Sequence, residues 1–399
     1  MGLIWSPRLD AEANRWRERA LGVAEQYFRP IAADLDRAQR YPWESVERLV
    51  ESGLAGLFLP REDGGQGASL TTTAAVTEAV SSVCASSAAI LCAYQLGAFP
   101  ILLAGTPKQK RFYLSAMAAG TATSFALSER ATGSDAAAIA ATALPEDDGW
   151  RIRGEKYWIG NGGASRYYVV FAKTDPDAGG RGISAFMVDG EADGVAVTEY
   201  CDKMGIRGTT TSNLELDTWV PAEAMIGQRD RALKLAFQTL NVGRIMVSAQ
   251  STGLSLAAYR EAAARSVDRR TFGQPIGDNQ GIGFKLADLV TQISAARMML
   301  YEAAGAYDRS ESVAELGAMA KLFTSEVAHV AADTAVQVWG GFGYIKSNTA
   351  ERLYRDQRIL QIYEGTSEIQ RLVLGRAVKK EAESWLAGTD DHGKGATSA

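Results

Sequence analysis

The chain changes its hydrophobic period twice, from helical to strand-like near residue 121 and back to helical near residue 231, and few architectures accept that order. Before the first switch, helical spacing runs over residues 11–28, 44–52, 70–82, 86–103 and 108–119, with Gly53 and Gly120 placed as helix ends. Between the switches come short alternating or β-branched runs at 150–152, 167–171, 183–188, 195–197 and 214–216. Turns such as Asp147-Asp148-Gly149 separate them, at the spacing of a small antiparallel sheet or barrel. After the second switch, long alanine-rich helical stretches at 232–265, 281–307, 313–339 and 366–387 pack most simply as a bundle. The expected fold is therefore α+β and multidomain. An N-terminal all-α domain (1–120) precedes a central small β-barrel or sandwich (121–231) and a C-terminal four-helix bundle (232–387), with a flexible polar tail (388–399). A length of 399 residues agrees with two or three domains.

Scarcity excludes more chemistry than any motif does. There are two histidines, His329 within a helical stretch and His392 in the tail, so a zinc site built on several histidines is impossible. A Ser/His/Asp triad would depend on His329, whose neighbours Ala328, Val330, Ala331 and Ala332 read as a packed face. The three cysteines, Cys84, Cys92 and Cys201, have no C-x-x-C spacing and are too few for a disulfide framework, which fits a reducing, cytoplasmic setting. A net charge of −5 advertises no grip on nucleic acid or anionic lipid. No apolar run is expected to reach the roughly 20 residues of a membrane span.

Both common phosphate cradles, G-x-x-x-x-G-K-[ST] and a strand-to-helix G-x-G-x-x-G, are absent; by spacing alone Gly340-Gly341-Phe342-Gly343 is a helix-ending turn. Three segments stand out. In Tyr363-Glu364-Gly365-Thr366-Ser367-Glu368-Ile369-Gln370, Ser367 and Gln370 form a capping-box pattern that puts Glu364 on the turn before a helix. Beside Ile362 and Tyr363, desolvation would raise its pKa toward that of a useful base, although a carboxylate there could simply complement the helix dipole. The loop Ser128-Glu129-Arg130-Ala131-Thr132-Gly133-Ser134-Asp135 is either a polar ligand site or an ordinary turn. In Lys156-Tyr157-Trp158-Ile159-Gly160-Asn161-Gly162-Gly163 an aromatic precedes a glycine-rich loop, suited either to stacking a flat ring or to core packing.

In this order and in this α-then-β-then-α chain, the three segments resemble the acyl-CoA dehydrogenase family of flavoproteins over roughly residues 10–386. Residues 125–129 and 133–135 look like the family's flavin loop, with Arg130 where a proline is usual. Trp158 matches its flavin-flanking tryptophan, with Gly160 where a threonine normally bonds the ring. Residues 203–211 with Val220-Pro221 resemble the segment closing its β domain. The resemblance implies FAD held by Phe125, Leu127, Ser128, Ser134, Trp158, Ile159 and Gly160, and by Thr366 and Glu368 near the base. Across a subunit interface of a homodimer or homotetramer it implies Arg269, Thr271, Phe272, Gln280, Gln337, Gly340 and Gly341.

The same resemblance implies an oxidoreductase acting on CH–CH bonds of an acyl thioester, carried by CoA or an acyl carrier protein. Glu364 would abstract the α-proton while flavin N5 accepts the β-hydride, and Ser134, Asn241, Arg244, Tyr363 and Gly365 would contact substrate. One subgroup takes its base from an earlier helix; that position is Gly243 here, so the sequence offers one base. Ala88, Ala89 and Cys92 would lie on the helix lining the acyl pocket, and electrons would leave to an electron-transfer flavoprotein. The alternative is a flavin-dependent monooxygenase or oxidase on the same fold, for which Gly160 opens space and against which Glu364 counts.

Overall fold

A computed structural model describes residues 2–393. The N-terminal helices begin where side chains relieve their orphan amides: Asp10 accepts from Ala13 N at 2.7 Å ahead of Ala11–Val23, and Ser69 accepts from Thr72 N at 3.1 Å ahead of Leu70–Ser81. Two expected helices are interrupted, since 24–28 and 110–114 are π turns, and Ala32–Ala38 is a helix that the periodicity did not reveal.

Ala85–Ala104 corrects an expectation. With 20 residues and a mean hydropathy of 1.7 it is long and apolar enough, by length and composition, to cross a membrane. However, 67% of that stretch is buried inside the protein. It runs between Leu70–Ser81, the sheet and the long helix Ala232–Asp268, so it is apolar nearly all round because protein covers it nearly all round.

The β layer is one mixed sheet. Its strands are β1 (Thr123–Ala126), β2 (Thr142–Glu146), β3 (Gly149–Gly160), β4 (Tyr167–Lys173), β5 (Ile183–Asp189), β6 (Val195–Tyr200), β7 (Thr211–Pro221) and β8 (Met225–Ile226). They run in the order β6-β7-β3-β2-β4-β5-β8, with β1 added to β4. The expected antiparallel sheet holds except where β1 and β2 meet β4, both parallel. A parallel pair needs a long crossover, and none is visible in local spacing. The β3–β7 register shifts between Lys156 and Ile159, and Trp158 there has φ +58°. This bulge turns the tryptophan off the alternation of the strand.

The C-terminal helices Ala232–Asp268, Gln280–Asp308, Ala314–Trp339 and Ser367–Gly393 form the bundle, packed through alanines such as Ala258, Ala262, Ala296, Ala328 and Ala331. Residues 388–393 extend the last helix instead of leaving it as tail; a single Gly388 costs a helix about 1 kcal/mol and does not end it. The remaining tail residues, 394–399, lie outside the described residues. His329 faces Gln357, 3.1 Å from its Nδ1, as part of the bundle.

Candidate active site

Sheet, bundle and the Ala85–Ala104 helix meet around a cavity of about 730 Å³. Three sides are recognisable from sequence. The β1 end and its loop supply Phe125, Leu127, Ser128 and Ser134; the β3 bulge supplies Trp158, Ile159 and Gly160; and the turn after residue 362 supplies Tyr363, Glu364, Gly365 and Thr366. Arg244 joins them from Ala232–Asp268, and Ala89 and Cys92 from Ala85–Ala104. Ala88 does not reach the cavity: it is fully buried in the N-terminal core.

The β side is braced by buried ion chemistry. Lys156 is fully buried and donates to Glu129 Oε1 at 2.8 Å and to the Leu127 carbonyl at 3.2 Å, while Glu129 accepts the Ala140 and Ala141 amides at 2.6 and 3.0 Å. Burial pulls Lys156 down to about 8, against the pull of Glu129. The pair thus fixes both ends of the 127–141 loop whose Ser128 and Ser134 face the cavity. Trp158 N donates to Asn213 Oδ1 at 3.1 Å, which fixes the bulge, and the indole is left 55% exposed.

The bundle side carries the carboxylate. Glu364 lies at φ +55° and Gly365 at φ +88°, so two consecutive residues adopt the left-handed conformation that throws the Glu364 side chain inward. Its Oε2 is buried and has no hydrogen-bond partner. Burial raises its pKa to about 7, with Arg244 and then Lys321 pulling the other way. A Cβ on Gly243 would stand 2.6 Å from that Oε2. A second base cannot occupy the Gly243 position while Glu364 points inward, and the glycine makes room for the one that is present.

Other expected residues are placed differently. Asn241 does not line the cavity; its Oδ1 accepts from Arg244 Nη1 at 2.9 Å and orients that arginine. Glu368 is exposed outside the cavity. The cap of the last helix is Thr366, whose Oγ1 accepts from Ile369 N at 3.3 Å; Ser367 Oγ has no partner, and Gln370 turns back to donate to the Glu364 and Gly365 carbonyls at 3.2 and 2.8 Å. Arg269, Thr271, Phe272, Gln280, Gln337, Gly340 and Gly341 form a separate flank outside the cavity, where Phe272 is fully exposed. Arg265 ties that flank together by lying over Trp339 and Phe342, at 4.6 and 5.6 Å from the ring centroids.

Sequence reasoning missed four contributors. Lys321 donates to the Gly365 carbonyl at 2.8 Å, and Gln250 accepts from the Tyr363 hydroxyl. Arg355, held by Asp36 at 2.7 Å and Glu351 at 2.7 Å, donates to Met204 O at 3.1 Å and lines the cavity beside the 201–211 loop. Gln95, buried with its amide unpartnered, lines the helical wall. Lys321 and Gln95 are polar residues among small or apolar helical neighbours, the one signal that sequence offered; Gln250, beside Ser248, Ser251 and Thr252, and Arg355, in the polar helix Thr349–Gln357, carried none.

The cavity fits a flavin with an acyl group beside it. It offers an exposed indole on a strained bulge, a hydroxyl-rich loop, the buried and unpartnered Thr210 Oγ1, apolar walls of Leu, Ile, Phe and Met side chains, and the cationic Arg244, Arg355 and Lys203 among them.

The comparisons agree with this geometry. The acyl-CoA dehydrogenase N-terminal, middle and C-terminal domains match residues 10–121, 124–219 and 231–379. A probable acyl-CoA dehydrogenase of Mycobacterium tuberculosis is 40% identical over 93% of this chain and 96% of its own length. The short-chain specific mitochondrial enzyme of Bos taurus is 39% identical over 92% and 90%. Butyryl-CoA dehydrogenase of Megasphaera elsdenii superposes with a TM-score of 0.92 at 35% identity, covering 94% of this chain and all of that one. The chain belongs to the acyl-CoA dehydrogenase family, FAD-dependent oxidoreductases that act on the CH–CH bond of acyl thioesters.

Proposed function

We propose that the chain dehydrogenates an acyl-CoA at the α,β bond, with Glu364 as the base, in a homo-oligomer that completes the cofactor site. The observation that carries this reading is the Glu364 carboxylate, buried at the cavity wall with Oε2 unbonded and packed where Gly243 lacks a side chain. A carboxylate that merely complemented a helix dipole would lie in solvent or against backbone amides; this one is kept away from both.

Bound in the cavity, FAD supplies the acceptor for the β-hydride. Phe125, Leu127, Ser128, Ser134, Trp158, Ile159, Gly160 and Thr366 would hold it from this chain. Arg269, Thr271, Phe272, Gln280, Gln337, Gly340 and Gly341 would serve a site shared with a second copy. The Glu364 carboxylate takes the α-proton, with Arg244 nearby favouring its ionised form, while Tyr363, fixed by Gln250, and the apolar wall around Leu96 and Phe99 keep water away from the reacting carbons. CoA is the carrier proposed because the relatives described above act on CoA esters; an acyl carrier protein is the alternative carrier. An electron-transfer flavoprotein is the proposed electron acceptor, and the three free cysteines suit a cytoplasmic setting.

The test is Glu364→Gln, which keeps the shape and the backbone N–H but cannot take a proton. In anaerobic rapid mixing with an acyl-CoA, the variant should retain FAD and bind the thioester, and bleach the flavin about 10²–10⁴-fold more slowly. Bleaching at a near wild-type rate would sink the assignment.

A further inference from the structure

Lys321 is fully buried in Ala314–Trp339, on a helix that the reaction does not otherwise use. Its Nζ donates to the Gly365 carbonyl at 2.8 Å. An ammonium in such a place is costly unless it is engaged, and a lysine buried for packing alone is outcompeted by leucine or methionine. The carbonyl it holds belongs to the residue after Glu364. Gln370 Nε2 meets the same carbonyl at 2.8 Å, so two donors from two helices grip a turn whose residues both have positive φ. Such a conformation persists only where its surroundings over-determine it.

The charges around the turn can be named element by element. Arg244 from Ala232–Asp268 and Lys321 from Ala314–Trp339 both favour the ionised form of Glu364. Cys92 from Ala85–Ala104 and the adjacent Tyr363 feel Glu364 in turn, and burial keeps both protonated. Glu326 and Glu368 face Lys321 and favour its charge, while Arg244 opposes it; burial, the largest effect, pulls Lys321 down to about 8.

We infer that Lys321 is a positioning residue for proton abstraction: it fixes the Glu364–Gly365 turn through the Gly365 carbonyl and brings a positive charge to the turn that carries the base. This rests on Glu364 being the base. The hydrogen bond and the charge are separable, because glutamine keeps an N–H donor, one atom shorter in reach and within range after a small shift of the turn, without the charge, and methionine keeps neither.

The test compares the pH dependence of anaerobic flavin bleaching by an acyl-CoA in the wild-type holoenzyme, Lys321→Gln and Lys321→Met, with Glu364→Gln alongside. In the wild type the rate rises as pH passes upward through about 7, where Glu364 ionises. Lys321→Gln should move that rise upward by about one pH unit and lose about tenfold in rate on its acid side, with the alkaline plateau kept. Lys321→Met should show the same shift and a plateau lowered by about tenfold, because the turn is no longer held. An unshifted rise in FAD-loaded Lys321→Gln overturns the inference, as does a lowered plateau without a shift. If Lys321→Met does not fold, the glutamine variant alone decides. Rapid bleaching by Glu364→Gln would instead overturn the base assignment, a failure distinguishable from that of Lys321.

Discussion

Two regions were expected to hold the same cofactor, and they are built in opposite ways. Around the cavity, the charged groups that brace the walls are answered from within the chain, Lys156 by Glu129, Arg244 by Asn241, and Arg355 by Asp36 and Glu351, while Gln95, Thr210 and Glu364 Oε2 are left unpartnered. On the flank formed by residues 265–284 and 337–345, several large side chains face outward, although Ile276 and Trp339 pack against the bundle. Phe272 is wholly exposed at φ +51°, at the tip of the hairpin formed by Arg270–Thr271 and Gln274–Pro275, and Phe284, Phe342 and Tyr344 are also exposed. A fold does not hold a phenylalanine in a left-handed turn in water for the stability of its own chain. One chain shapes the reacting end of the site by itself, whereas the far end presents large side chains to solvent, as a surface for a second copy would.

The largest effect that would break this contrast comes from removing one half of the buried brace. Lys156→Met leaves the Glu129 carboxylate without its cation, and breaking a buried pair in this way costs about 3–5 kcal/mol. Chemical unfolding should show that loss, and FAD should wash out of the variant because the 127–141 loop is no longer held at both ends. Unfolding at the wild-type midpoint with full FAD content would mean that the cavity wall is not self-supporting.

The flank should behave in the reverse manner. Phe272→Ser removes a side chain that touches little of its own chain, so the fold should hardly notice. Association of subunits and retention of FAD on dilution should weaken together by about 2 kcal/mol, roughly thirtyfold, as for a buried aromatic anchor of an interface. Sedimentation and flavin fluorescence across a dilution series would measure both. Weakened FAD binding with an unchanged assembly would place the flank against the cofactor of its own chain instead.

How far the sequence could be read follows the same division. Most of the helices and strands were legible because each depends on neighbours in sequence, as in the glycine ends at Gly53 and Gly120 and the β-branched and aromatic run of β4, whereas the carboxylate at Glu364 was legible as a base only through the family resemblance. The parallel contacts of β1 and β2 with β4, the burial of Ala85–Ala104, and the roles of Lys321, Gln250 and Gln370 depend on residues far apart in the chain. The capping-box pattern shows how local logic misleads. The spacing predicts that Gln370 turns back to cap its own helix together with Ser367, whereas it serves the two carbonyls that set the base, and Thr366 does the capping.

The smallest expected effect sharpens the contrast most, because it asks whether shape alone at the cavity wall reaches the chemistry. At φ +88°, Gly365 occupies backbone space that an L side chain enters at a cost of about 1 kcal/mol. A Cβ there would stand 2.7 Å from Gln370 Nε2, the flexible end of a side chain, so Gly365→Ala should fold, with a stability loss little above that figure. Relief of the contact, however, requires Gln370 to draw back from the Glu364 and Gly365 carbonyls, and the turn then relaxes toward the right-handed region that alanine prefers. Glu364 swings with it, away from the space left by Gly243. A displacement of about 1 Å at a reacting group costs roughly 10²-fold in rate. Gly365→Ala is therefore expected to keep its fold, FAD and subunit association while flavin bleaching by acyl-CoA slows by about two orders of magnitude, whereas Phe272→Ser keeps the rate of whatever remains FAD-loaded. Equal bleaching rates in the two FAD-loaded variants would show that the left-handed turn at Glu364 is a feature of the fold without a part in positioning the base.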